Sequence, residues 1–256
     1  MTNLLVLLAM PEAVRNQYRD RLAARFPEIN VALVDHHSKV APHIATADAL
    51  VTFAPMLSDR VLEQAERLKW VQALGTGVDN LTDRPALRRD VIVTNVHGIH
   101  GAPVSEAAIG AMLALARNLP RAIRLQDKHQ WQRWPAQLLH NKTVGIFGIG
   151  AIAEALAPKC KALGMQVVGV SSAPRAVDSF DLMYPTSELA KIVGSFDFFV
   201  LLTPLTDKTR NCIDASVFAA MKPSALHFGA SASAMAPMPK MPTALLCRSC
   251  AGQRCH

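Results

Sequence analysis

At 256 residues, half of them hydrophobic and 18% charged, the chain is long enough to bury one or two cores. Its composition is that of a globular protein rather than a disordered or fibrous one. The formal net charge of +7 raises nucleic acid as a partner. The basic residues, Arg15, Arg19, Arg67, Arg88, Arg117 and Arg133 among them, are scattered instead of forming a Lys/Arg block with interleaved aromatics, so no nucleic acid is expected. The N-terminal apolar run Leu4–Leu8 is too short to span a bilayer and has no basic flank. It points to a buried first strand, no membrane, a cytoplasmic location and five cysteines carried as free thiols.

Short runs rich in branched or aromatic residues predict strands over Leu4–Leu8, Val31–Val34, Ala49–Phe53, Trp70–Ala73 and Val91–Thr94. Amphipathic stretches between them predict helices at Glu12–Arg25 and Asp59–Ala65, the latter with Ser58 as N-cap. From Pro103 a helix runs over Val104–Arg117, apolar nearly all round, as befits an interior or an interface. A polar stretch with Trp131 and Trp134 leads to a second series, with strands at Thr143–Phe147, Gln166–Ser171 and Phe198–Leu202 and a helix at Ile152–Leu163. Strand–helix alternation implies parallel sheets covered on both faces. The expected fold class is α/β, with two Rossmann-like parallel-sheet units: a flavodoxin-like unit over residues 1–97 and a dinucleotide-binding unit over 98–225, the second incomplete.

The segment Val144-Gly145-Ile-Phe-Gly148-Ile-Gly150-Ala151-Ile152-Ala153 is a strand running into a Gly-rich turn and then a helix. The spacing Gly148-x-Gly150-x-x-Ala153 fits the dinucleotide fingerprint with Ala in third place. Gly148 supplies the tight turn, Gly150 lets the backbone approach a pyrophosphate, and Ala153 permits close helix–strand packing. The amides of Ala151 and Ile152 open the helix, where unpaired N–H groups and the helix dipole attract phosphate. The next strand ends in Ser171-Ser172-Ala-Pro-Arg175, with no acid before Asp178. An acid at that place serves the ribose hydroxyls of NAD, whereas two hydroxyls and a guanidinium suit a 2′-phosphate. NADP(H) is therefore expected over NAD(H).

Together with this loop, three further stretches resemble the D-isomer-specific 2-hydroxyacid dehydrogenase family, across roughly residues 1–225. The first is Leu68-Lys-Trp-Val-Gln-Ala-Leu-Gly75-Thr76-Gly77-Val78-Asp79. The resemblance assigns the backbone N–H groups of Thr76 and Gly77 to a substrate carboxylate, and consecutive amides in a Gly-rich turn do form an anion-binding nest. The second runs from Val93-Thr-Asn-Val-His-Gly98 to Pro103-Val104-Ser-Glu106, similar to the family's crossover between domains, and places Val104 near the nicotinamide. The third, Phe196–Thr209 followed by Met221-Lys-Pro-Ser-Ala225, places Thr203, Pro204 and Thr209 beside the cofactor. The Ser-Ser-Ala-Pro-Arg loop is closest to the glyoxylate/hydroxypyruvate reductase-like members that prefer NADPH. The implied activity is hydride transfer between NADPH and a small 2-keto or 2-hydroxy acid, with a homodimer as the implied assembly.

The family's catalytic Arg, Glu and His follow this region, and no matching segment appears here. After Ala225 the chain reads Leu226-His227-Phe228-Gly229-Ala230-Ser231, with no Asp or Glu beyond Asp214 and prolines at 237, 239 and 242. Residues 226–256 are expected to form an irregular, disordered tail, the product of an altered reading frame or truncated gene. His227 lies where a buried strand belongs, and His97 and His100 read as polar loop residues, so no catalytic residue is assigned. Cys247, Cys250, Cys255 and His256 are four soft ligands in number, but their spacing fits no strong zinc pattern, and no metal is expected. The alternative to a reductase is a non-catalytic remnant that binds a dinucleotide or a partner subunit.

Overall fold

A computed structural model describes residues 1–53, 57–75, 77–78, 81–82, 84–203 and 209–229, with the backbone alone for 228–229 and 244–246. The chain divides into two compact units, Met1–His97 and Gly98–His256.

The first unit runs β1 (Thr2–Leu7), α1 (Glu12–Arg25), β2 (Ile29–Val34), α2 (Ala41–Ile44), β3 (Ala49–Thr52), α3 (Asp59–Glu63), β4 (Trp70–Ala73) and β5 (Ile92–Thr94). All pairings are parallel and the strand order is β2-β1-β3-β4-β5, the flavodoxin-like order. Side chains alternate across β1 with the period of two that a strand imposes. Leu5 and Leu7 pack with Ile44, Leu50, Val61 and Leu62, while Leu4, Val6 and Leu8 face Leu22 and Ile29. Ser58 stands at the N-cap of α3, as the sequence predicts, although its side chain makes no capping hydrogen bond there.

The second unit runs α4 (Gly101–Ala116), α5 (Leu119–Gln126), β6 (Thr143–Phe147), α6 (Ala151–Ala162), β7 (Gln166–Ser171), β8 (Leu182–Pro185), α7 (Leu189–Ile192), β9 (Phe198–Leu201), α8 (Ala215–Ala220), β10 (Leu226–Gly229) and β11 (Ala244–Leu246). Its six strands lie in the order β11-β10-β9-β6-β7-β8, every neighbour parallel. Counted from β6, this is the 3-2-1-4-5-6 order of the doubly wound nucleotide-binding sheet, read from its other edge. The central strands are buried on both faces. Val144, Ile146 and Val167 face α4 and α6 through Ala108, Met112, Leu156 and Cys160. Phe147, Val168, Val170 and Phe199 face Leu189, Val193 and Val217 on the opposite side. Burial pushes the Cys160 thiol up to about 12, which leaves it a packing group rather than a nucleophile. Among the described residues no helix is long and apolar enough to cross a membrane.

The end of the sheet away from the Gly-rich turn is fastened by Asp197. Its carboxylate accepts the Thr143 amide at 2.9 Å and Lys222 Nζ at 3.0 Å, and its carbonyl accepts the Leu226 amide at 3.0 Å. That fastening starts β10, and it corrects the expectation of irregular chain from residue 226. Leu226–Gly229 pairs along β9, and residues 244–246 pair along β10. The physical reason is the open edge of β9, whose unpaired peptide groups are satisfied by any chain that can lie extended beside them. The three prolines and the cysteine-rich end lie outside the described residues.

His227 is 5% exposed, its ring 5.5 Å from that of Phe218, and its Nε2 has no hydrogen-bond partner among the described residues. Burial lowers its pKa below the ordinary 6.5, so the folded state holds the imidazole neutral while the unfolded chain protonates near its ordinary value. The destabilising contribution is absent above that value and grows as pH falls through it, until the folded-state pKa is reached. His227→Phe is expected to raise the urea midpoint and to flatten its fall between about pH 7 and pH 5. Parallel melts of the two proteins at both pH values check this, and an unchanged pH slope counts against it.

Candidate dinucleotide site

The strand order of the second unit reverses at β6, whose neighbours β7 and β9 leave it in opposite directions across the sheet. A crevice opens at the carboxyl ends of the strands at such a switch point. Gly148, the first residue past β6, has φ +97°, and a Cβ there would lie 2.7 Å from the Thr203 amide nitrogen and 2.8 Å from the Leu202 carbonyl carbon. Only glycine meets both demands, a left-handed backbone and contact with the chain leaving β9. The Gly148 amide donates to Val170 O at 3.0 Å, tying the turn to β7 as well.

Gly150 is different. It is the N-cap of α6 with extended backbone (φ −139°, ψ −168°), no side chain caps the helix, and a Cβ built on it meets nothing within 4 Å. The protein's own packing therefore does not require glycine here. Glycine leaves open the space in front of the Ala151 and Ile152 amides, which have no acceptor within the helix. Ala153, fully buried, seats α6 against β6. Thr203, which packs against Gly148, is 6% exposed, and its Oγ1 has no hydrogen-bond partner among the described residues. The open space over Gly150, in front of helix amides without an intrahelical acceptor, fits a pyrophosphate-bearing dinucleotide.

Ser171 closes β7, and its Oγ accepts the Ala173 amide at 3.3 Å. Ser172 is exposed on the same loop. Arg175 reaches back from this loop to α6, where its Nη2 donates to Glu154 Oε1 at 2.6 Å. Glu154 was not singled out in the sequence. Its available signal was an acid in the first turn of the helix that the fingerprint opens. Val104 is half-buried on α4, the helix whose Gly101 sets its Cα hydrogens against Ala151 O and Ala155 Cβ, each 3.3 Å from an ideal Cβ position.

The structure thus brings Gly148, Gly150, Ala151, Ile152, Ser171, Ser172, Arg175 and Thr203 to one end of the second sheet. Thr209 lies in the turn before α8, where its carbonyl accepts the Cys212 amide at 3.3 Å. Pro204 and Thr76 lie outside the described residues, and Gly77 is exposed in the first unit. His227 sits within the sheet and faces Phe218 rather than the crevice. His97 is exposed and His100 half-buried.

Residues 109–231 match the model of the D-isomer specific 2-hydroxyacid dehydrogenase NAD binding domain. The D-3-phosphoglycerate dehydrogenase of Methanocaldococcus jannaschii is 32% identical over 203 residues, 78% of this chain but 39% of that protein; the present chain therefore spans well under half of that relative's length. Among solved structures, an NADPH-dependent glyoxylate/hydroxypyruvate reductase of Sinorhizobium meliloti, in complex with NADP and sulfate, aligns with a TM-score of 0.74 at 26% identity. That alignment covers 90% of this chain and 72% of the other. A D-isomer specific 2-hydroxyacid dehydrogenase family protein of Aeromonas salmonicida subsp. salmonicida aligns with a TM-score of 0.78 at 33% identity, over 90% of this chain and 73% of that one. The matched domain model spans the Gly-rich turn and every strand of the second sheet through β10, and the chain belongs to the D-isomer-specific 2-hydroxyacid dehydrogenase family.

Proposed function

We propose that the chain binds NADPH in preference to NADH, in the manner of a reductase of small 2-keto acids such as glyoxylate and hydroxypyruvate, and that its own chemistry is impaired. The observation that carries the binding half is the open space over Gly150, in front of the first amides of α6. Ala151 and Ile152 N–H groups hold the pyrophosphate, where the helix dipole adds its attraction. Ser171, Ser172 and Arg175 take the 2′-phosphate. Val104, Pro204 and Thr209 line the remainder of the cofactor site, and the Thr76 and Gly77 amides take the substrate carboxylate. The nicotinamide, when bound, supplies the hydride.

What the protein must add is a proton donor within hydrogen-bond reach of the substrate carbonyl and a cation opposite its developing oxyanion. The proposed impairment rests on residues 226–256, in which no stretch resembles those that carry the family's Arg, Glu and His. His227 is a poor substitute, since it is neutral, buried and turned to Phe218. The same facts favour the second reading, a dinucleotide-binding or subunit-binding chain without turnover. A cytoplasmic homodimer is proposed with it. Ile123 at 58% exposure, Trp131 at 92% and Leu138 at 59% give α5 and the stretch after it an apolar surface suited to a second copy.

Three outcomes follow. Gly150→Val abolishes NADPH binding with the far-ultraviolet spectrum retained, because its side chain enters ligand space and not protein; undiminished affinity contradicts the placement of the site. Arg175→Ala weakens NADPH by about tenfold, the scale of one charge-assisted hydrogen bond, while NADH changes little; a fluorescence titration with each cofactor reads the difference. In a steady-state assay with glyoxylate or hydroxypyruvate, the 256-residue chain turns over about 10⁴-fold or more below an enzyme with both catalytic roles filled. Robust reduction by the homogeneous chain sinks the impairment.

A further inference from the structure

The geometry points to Glu154 as a residue that sets the balance between the two cofactors, by holding Arg175 in competition with the 2′-phosphate. This inference rests on the reading of Arg175 as the phosphate-binding residue. The end of β7 carries no acid, yet an acid on α6 meets the arginine of the loop that follows β7. Glu154 lies in the first turn of α6, one residue after Ala153, and its Oε1 accepts Arg175 Nη2 at 2.6 Å. The two side chains are 45% and 60% exposed, so both are free to exchange partners with solvent or ligand.

Two consequences follow from charge alone. A 2′-phosphate that recruits Arg175 must first displace a carboxylate from it, and the carboxylate then remains as a like charge beside the phosphate. A ribose 2′-hydroxyl makes neither demand. It is a hydrogen-bond donor to which a carboxylate is an acceptor, the role that an acid at the end of the second strand plays in NAD-binding sheets. Glu154 therefore opposes NADPH and tolerates NADH, while Arg175 does the reverse. An exposed ion pair is a weak competitor, and that weakness makes it a tuning device rather than a block.

The test is a pair of fluorescence titrations, NADPH and NADH, on the full chain and on Glu154→Gln and Glu154→Ala at one ionic strength near 0.1 M, where exposed charges still interact over about 10 Å. Both variants are expected to bind NADPH about two- to fivefold more tightly, the range an exposed pair supplies, with NADH unchanged or weakened. The gain should shrink when Arg175→Ala is added, because the partner is then gone. NADPH affinity that is unchanged or reduced in both variants overturns the inference, and so does an equal gain for the two cofactors. If Arg175→Ala alone fails to weaken NADPH selectively, the phosphate reading itself falls. If that variant behaves as expected and the Glu154 variants do not, only the present inference does.

Discussion

The second unit depends on one close approach, that of the backbone at Gly148 to the backbone at Leu202 and Thr203. With less than 3 Å available to any Cβ, the turn after β6 and the chain leaving β9 meet as bare peptide. The contact lets α6 start directly above the strand ends, so that its first amides point into the crevice. A larger residue at position 148 would push the turn from β9 and swing the helix N-terminus away with it. The positive φ at Gly148 and the extended Gly150 form a single device, in which the first glycine permits protein to touch protein and the second leaves open the space proposed for the pyrophosphate.

A site made this way is built mostly from peptide groups. Its anion-binding power comes from unpaired N–H donors and a helix dipole, which depend on the course of the backbone and hardly on side-chain identity. Reduction of a keto acid makes the opposite demand, because a proton donor and a cation must be particular side chains at particular places. The distinction separates the two halves of the proposed function: the cofactor architecture can be read from the backbone, whereas the reduction depends on side chains that only the assay tests. It also gives Lys222 its place. This lysine belongs to the Met-Lys-Pro stretch and acts at the far end of the sheet, on Asp197, where it secures β10 rather than any ligand.

Much of this was legible in the sequence, for reasons that particular elements make plain. β6, β7 and β9 are buried on both faces and so read as nearly continuous apolar runs. The fingerprint carried its own geometry in its spacing. β8 was missed because it is a half-exposed edge strand ending in Pro185, with Leu182 at 45% exposure. The resemblance puts a buried strand at His227, but the residues of β10 read as irregular because His227 and Gly229 interrupt the apolar run, and its pairing is a property of the neighbouring edge more than of its own residues. The Glu154–Arg175 pair joins residues 21 positions apart on different elements. Nothing in local periodicity marks such a meeting.

Hydrogen–deuterium exchange with and without NADPH tests the central claim most directly, because it reads backbone amides and the proposed site is made of them. NADPH is expected to slow exchange across residues 148–153, most at Ala151 and Ile152, with a smaller effect at Thr203. Binding of NADPH that leaves these amides exchanging as before, with protection elsewhere, would contradict it.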